Sequence, residues 1–138
     1  MRRIDFQRLA NQRMKEAEAL YAARLYGGCY YLAGLAVECA LKACIAKRTR
    51  RHEFPDKNLA NSAWRHDLKP LLGLTELQRD LDDGAKADRE FEANWALVKD
   101  WTVDSRYDHP VSRARAKALL DAVRDPDKGI LPWLQDRW

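Results

Sequence analysis

Cysteine, proline and glycine are scarce in this chain, with three, five and six residues among 138, and the missing patterns close off whole classes of function. Cys29, Cys39 and Cys44 form no CxxC pair and fall in one apolar stretch, which argues against a disulfide framework or a zinc ribbon and predicts small, buried, reduced side chains. The few glycines never assemble the GxxxxGK[ST] loop that wraps phosphates, so nucleotide hydrolysis by a P-loop is excluded. Histidine occurs only as His52, His66 and His109, with no HExxH and no Cys/His cluster. His66-Asp67 and Asp108-His109 are neighbours of ligand type, yet no metal and no cofactor is expected. No segment alternates apolar and polar residues around β-branched side chains, which argues against a sheet. The basic opening from Met1 to Arg8 lacks the apolar run of a signal peptide, and no later segment reads as a bilayer span. A cytoplasmic protein with no membrane partner is the expectation.

What is present is globular in composition, 46% hydrophobic and 33% charged. The length buries one core, so residues 1–138 read as a single domain with 126–138 as a short C-terminal extension. Charge is spread unevenly. Residues 1–70 hold 14 Lys/Arg against 7 Asp/Glu, a net of +7, and residues 71–138 hold 11 against 14, a net of −3. The basic half suits an acidic partner such as RNA, and the opposition of halves equally suits charge pairing between subunits.

Apolar residues at steps of three and four, Ala10, Met14, Ala17, Tyr21 and Leu25, predict a helix from Asp5 to about Tyr26, ended by a turn at Gly27-Gly28. A second helix, from about Cys29 to Lys47, is apolar over most of its circumference and belongs in the middle of a bundle, with Gly34 and several alanines allowing close approach. Its exceptions are Glu38 and Lys42, spaced i to i+4, which either pair along the helix or face a groove. A basic run, Lys47–His52, and a loop through Pro55 and on to Ser62 follow. Asp67 then reads as the cap of a short helix Leu68–Leu72, and Thr75-Glu76-Leu77-Gln78 as a capping box. A long helix with Phe91, Trp95 and Trp101 on its face spans about Ala85 to Ser105, and Tyr107-Asp108-His109-Pro110 breaks it. The last main helix covers Val111–Arg124, leaving a tail that carries Trp133 and Trp138. The fold class is all-α, an antiparallel up-and-down bundle of four to five helices.

Three strings carry a family resemblance. The run from Tyr30 to Ala43, Tyr-Tyr-Leu-Ala-Gly-Leu-Ala-Val-Glu-Cys-Ala-Leu-Lys-Ala, lies on the second helix; His66-Asp67-Leu68 opens the next; Arg106-Tyr107 ends a Trp-bearing helix. In order and approximate spacing they resemble the HEPN domain (higher eukaryote and prokaryote nucleotide-binding) over roughly Leu20 to Val123. The resemblance implies an antiparallel helical bundle that often forms a homodimer. It also implies a family divided between metal-independent ribonucleases and non-catalytic binding modules, with many members acting as toxins neutralised by a nucleotidyltransferase antitoxin.

Arg106 and His109 are the candidate catalytic pair that the resemblance marks. Cleaving RNA without a metal requires a base for the 2′-hydroxyl proton and a cation for the charge growing on the phosphate, which a His and an Arg supply if both reach one phosphodiester. The family's ribonuclease branch usually places four to six residues between that Arg and His, whereas only Tyr107 and Asp108 separate them here. Glu38, Lys42, His66, Tyr107 and Asp108 are the candidate groove residues for a nucleotide or RNA. Each has a structural reading as well: Arg106 as a bridge between helix ends, His109 as a turn residue, His66 as part of a helix start, His52 as the end of a solvated basic run. Three functions remain open: a nucleotide- or RNA-linked binding module working with a partner such as a nucleotidyltransferase, a metal-independent endoribonuclease toxin, and a structural assembly protein that docks through its Trp-bearing tail.

Overall fold

The computed structural model describes residues 1–49 and 57–138, and these form eight α-helices, one 3-10 turn and no strand. Helix α1 (Arg3–Ala22) starts where the Asp5 carboxylate accepts from the Arg2 backbone N–H at 2.9 Å. It ends one turn earlier than the glycines suggest. The chain reverses through Ala23, Arg24 and Leu25, with Arg24 in the left-handed region at φ 63°, and Gly27 and Gly28 lie in the first turn of α2 (Tyr26–Arg48). Packing explains the correction: a Cβ on Gly28 would come within 3.0 Å of Leu20 Cδ1, so the missing side chains let the two helices close tightly at the turn.

Helix α2 is the axis of the bundle, packed against α1, α4 (Leu68–Leu74), α7 (Arg113–Arg124), α8 (Ile130–Gln135) and the 3-10 turn (Val103–Tyr107). Contrary to the sequence expectation, it is long and apolar enough to cross a membrane by length and composition, with a mean hydropathy of 1.5 over 18 residues. Two thirds of that window, 67%, is buried in the bundle, so core packing accounts for its apolarity. Gly34 shows how close the packing is. The Trp101 indole, 1% exposed, packs against it, and a Cβ there would clash with the ring atoms.

The region after α2 departs most from the expected elements. Arg50–His52 of the basic run, together with Pro55 and Asp56, lie outside the described residues, while Lys57–Ser62, expected as loop, is helix α3. Asp67 stands at the start of α4 without a side-chain capping bond. Thr75 forms no capping box; its hydroxyl donates to Leu72 O at 2.6 Å and accepts from Leu77 N–H at 3.0 Å, a local turn that precedes α5 (Gln78–Ala87). The single long helix predicted for 85–105 is divided. Asp88 interrupts it in extended geometry and caps α6 (Arg89–Val98) by accepting from the N–H groups of Glu90 and Phe91, and beyond α6 the chain tightens into the 3-10 turn. Helix α7 opens at Arg113, two residues later than predicted, because Ser112 Oγ accepts from Arg115 N–H.

Helices of ten residues or more number five (α1, α2, α5, α6, α7), and they set the bundle. Asp88, ahead of α6, pairs with Lys128, beyond α7, so α6 and α7 run antiparallel. Arg113 at the start of α7 meets Tyr21 near the end of α1, and Gln135 in α8 meets Asn11 in α1, so this arm runs antiparallel to α1. The C-terminal extension folds back into the core: Ile130 and Leu134 are fully buried, Trp133 packs 5.8 Å from the Phe91 ring, and Trp138 lies against the same cluster. Trp133 and Trp138 are thus partly buried against this chain's own core.

Candidate nucleic-acid interface

The predicted site residues fall into two groups. Glu38 is buried, 3% exposed, and one of its oxygens, Oε1, receives both Lys42 Nζ at 3.0 Å and His66 Nδ1 at 2.8 Å. Its other oxygen is buried without a partner among the described residues. Glu38 and Lys42 therefore pair along the helix, and His66 joins them instead of capping α4, which ties the α3–α4 connection to the central helix. At about 1.5 Å of rise per residue, Glu38 stands roughly 16 Å along α2 from Gly27, and Lys42 lines a separate cavity with Phe6, Ala63 and Trp64. Neither cleft lined by the second group includes Glu38, Lys42 or His66.

That second group, around residues 106–113, packs over the opposite end of α2. Every tyrosine in the chain is there, interleaved with arginines. The Arg106 guanidinium lies 4.8 Å over the Tyr107 ring, and hydrogen bonding to Tyr107, then its charge and that of Tyr31, hold Arg106 further toward the charged form. Asp108 accepts from Arg115 at 3.1 Å, and the same guanidinium lies 4.3 Å over Tyr30. Burial opposes the Arg115 charge, but hydrogen bonds to Tyr30 and Asp108 outweigh it, so its pKa rises. Arg113 Nε donates to the Tyr21 hydroxyl at 3.1 Å, which raises the pKa of Arg113, and Tyr21 stands 5.7 Å from Tyr26.

Two clefts open on this face and share Arg24 and Tyr26. One, of about 380 Å³, adds Tyr21 and Arg113; the other, of about 290 Å³, is closed by Gly27, Gly28 and the segment Asp108–Val111, which contains a cis His109–Pro110 bond. Arg24 is exposed and occupies a left-handed position that favours glycine. Its guanidinium has no hydrogen bond or ion pair among the described residues, and neither does the exposed His109 ring. His109 thus shares its cleft with Arg24, while Arg106 stacks on Tyr107 outside the residues that line it. Asp108 reaches the cleft with its charge already matched by Arg115. The arrangement offers fixed cations for phosphate oxygens, a free imidazole for proton transfer, and aromatic faces for bases. The thiols lie elsewhere: burial pushes Cys29, Cys39 and Cys44 up to about 11, which leaves them poor nucleophiles.

Sequence reasoning reached Arg106, Tyr107, Asp108 and His109 but missed Arg24, Tyr21, Tyr26, Arg113 and Arg115. The available signal was compositional, since each tyrosine lies within a few residues of an arginine or of another tyrosine.

An all-α bundle with an arginine, tyrosine and histidine face at the end of its central helix defines the class of protein. The HEPN domain family matches residues 5–125, and the chain belongs to that family. Neither a curated protein nor a solved structure matches it.

Proposed function

We propose that this protein is a HEPN-family binding module whose paired clefts take a nucleotide or an RNA, and that it works as a homodimer with a partner such as a nucleotidyltransferase. Family membership supports a nucleotide- or RNA-related function in general. The observation that carries the specific reading is the pair of side chains, Arg24 and His109, without partners among the described residues, on the walls of one cleft with Arg113 in the adjoining one. An unpaired arginine at a position that disfavours a side chain has its use in what it binds, and guanidinium is the group best shaped for phosphate. Equilibrium binding of fluorescently labelled RNA and of a labelled mononucleotide, with Arg24→Ala and Arg113→Ala as controls, tests it. Absence of binding by the wild-type protein to every ligand sinks the reading. Light scattering and co-purification with the product of the adjacent reading frame test the dimer and the partner.

One observation favours a second reading, a metal-independent endoribonuclease toxin. The His109 ring is exposed and engaged by nothing among the described residues, so it is free to accept the 2′-hydroxyl proton, with Arg24 or Arg106 as the phosphate cation. Cleavage of RNA in EDTA that disappears in His109→Ala, together with growth arrest on expression, establishes this reading; intact RNA with wild-type protein returns the protein to the binding module.

A further inference from the structure

At the other end of the bundle, the beginning of α1 and the end of α3 meet the later turns of α2 around a cavity of about 430 Å³, lined by Met1, Phe6, Lys42, Ala60, Ala63 and Trp64. Five of these residues are apolar and one is a lysine, and the volume falls in the range of about 300–1,000 Å³ in which proteins hold small molecules. We propose that this cavity binds a small amphipathic anion, an aromatic body carrying one carboxylate, independently of any nucleotide or RNA in the Arg24 clefts. Helix rise keeps the two sites apart: Lys42 stands roughly 22 Å along α2 from Gly27, and neither cleft shares a residue with the cavity. The walls select the ligand. Phe6 and Trp64 supply two rings, and an aromatic ligand gains from them beyond the area it buries. Trp64 is 81% exposed, the most exposed large hydrophobic side chain among the described residues, and Met1 is 75% exposed, so covering them drives an apolar body into place. Lys42 is the partner for the acid. Its side chain is only 14% exposed and its Nζ is held by Glu38 Oε1 at 3.0 Å, while His66 Nδ1 holds the same oxygen from the α3–α4 connection at 2.8 Å. The ammonium is therefore fixed in advance, and it has no other hydrogen bond or ion pair among the described residues, which leaves two of its three donors for a carboxylate. Nearby charge favours an acid over a base: Glu38 matches Lys42, while Arg3 and Arg65, beside the lining residues in sequence, have no ion pair among the described residues. A nucleotide suits this wall poorly, because its phosphate and sugar need several polar groups and the wall supplies one charged side chain.

The experiment is isothermal titration calorimetry with 2-naphthoate, its uncharged analogue 2-naphthalenemethanol and its cationic analogue 2-naphthylmethylamine, using wild type, Trp64→Ala, Trp64→Phe, Lys42→Met and Arg24→Ala. Trp64 is exposed enough that its replacement leaves the fold intact, which circular dichroism checks. The comparison of acid and alcohol on the wild-type protein reads the charge requirement even if Lys42→Met does not fold. Wild type should bind the acid roughly tenfold or more tighter than the alcohol, the worth of one charge-assisted hydrogen bond, and the amine least. Trp64→Ala should weaken the acid roughly two- to tenfold, the worth of one aromatic pair, and Trp64→Phe should keep most of the affinity. Lys42→Met should lose the preference for acid over alcohol, and Arg24→Ala should bind like wild type. No binding of 2-naphthoate at millimolar concentration, an acid bound no more tightly than the alcohol, or a Trp64→Ala protein that binds like wild type overturns the proposal. Affinity lost in Arg24→Ala and kept in Trp64→Ala places the acid in the arginine clefts and overturns it as well. A decapeptide of aspartate and phenylalanine that binds more tightly than 2-naphthoate, and is lost in Trp64→Ala, overturns the small molecule as the occupant in favour of a protein segment.

Discussion

Replacing Arg24 by glycine should move stability and binding in opposite directions. Arg24 follows the last turn of α1 with its N–H bonded to Tyr21 O, the Leu25 N–H bonded to Leu20 O, and φ at 63°. This is the position where helices favour glycine, because a Cβ in the left-handed region crowds the following carbonyl at a cost of about 1–2 kcal/mol. Glycine removes that cost but loses more backbone freedom on folding, about 0.5–1 kcal/mol, so the net gain is about 0.5–1 kcal/mol. For a chain of this length that is a rise of roughly 2–4 °C in melting temperature. The same substitution removes a guanidinium with no partner among the described residues, so no bond to them is lost to offset the gain. If the group meets a phosphate, RNA affinity should fall about tenfold or more, the worth of one charge-assisted hydrogen bond, and the slope of log affinity against log salt should shrink by about 0.7. Thermal unfolding followed by circular dichroism and RNA titration over a salt series measure both. A lower melting temperature would refute the argument from backbone strain, and unchanged affinity and salt slope would refute the role given to the side chain.

Other perturbations test the scaffold. Gly34→Ala should destabilise by about 1–3 kcal/mol, the cost of overpacking, because the new methyl competes for the space of the Trp101 ring; a denaturation midpoint equal to wild type would show that the indole moves aside freely. Lys42→Met should cost about 1–3 kcal/mol by taking one of two partners from the buried Glu38 carboxylate, which keeps His66. The double variant Glu38→Met/Lys42→Met should recover much of that loss, and a double variant less stable than either single one would contradict the account. Truncation after Asp125 removes the buried Ile130, Leu131 and Leu134, at about 1.5–3 kcal/mol each, a large part of the 5–15 kcal/mol that holds a typical domain. The shortened chain should therefore lose its cooperative unfolding transition. Hydrogen bonding to Lys128, then to the Phe91 N–H, holds the Asp88 carboxyl below its ordinary value of 3.8. Its contribution is complete above that value and is lost as pH falls through the lower folded-state value. Lys128→Met should therefore reduce the acid-induced loss of stability, as an acid titration by circular dichroism would show.

The fold was legible where one helix face decides everything. Ala10, Met14 and Ala17 are spaced for one stripe and are buried on α1, and the nearly unbroken apolar string of α2 could only belong at the centre. The boundaries were less legible, because they depend on contacts that the periodicity does not contain. Asp88 divides a stretch whose aromatic spacing is helical throughout, since its carboxylate does better accepting two N–H groups and pairing with Lys128, forty residues away, than it would on a continuous helix. Gly27-Gly28 has the composition of a turn, but its use is the approach of Leu20, which can be seen only once α1 and α2 are folded together.

The site shows the same division more sharply. Residues 106–109 stand next to one another in the chain, so a local motif marks them, and the motif's natural reading joins Arg106 to His109. The chain geometry separates these neighbours: Arg106, in the 3-10 turn, is drawn onto Tyr107 and toward Tyr31, while His109, beyond the turn, comes to rest against the start of α2. The cation that shares the His109 cleft comes instead from the α1–α2 connection, more than eighty residues away in the chain. No spacing rule reaches that far. What did mark it was a conflict that only the folded backbone displays, a charged residue where the helix end favours glycine. Such a conflict is the observation on which the proposed binding role of Arg24 rests: its guanidinium forms no hydrogen bond or ion pair among the described residues, so the local cost has no return there.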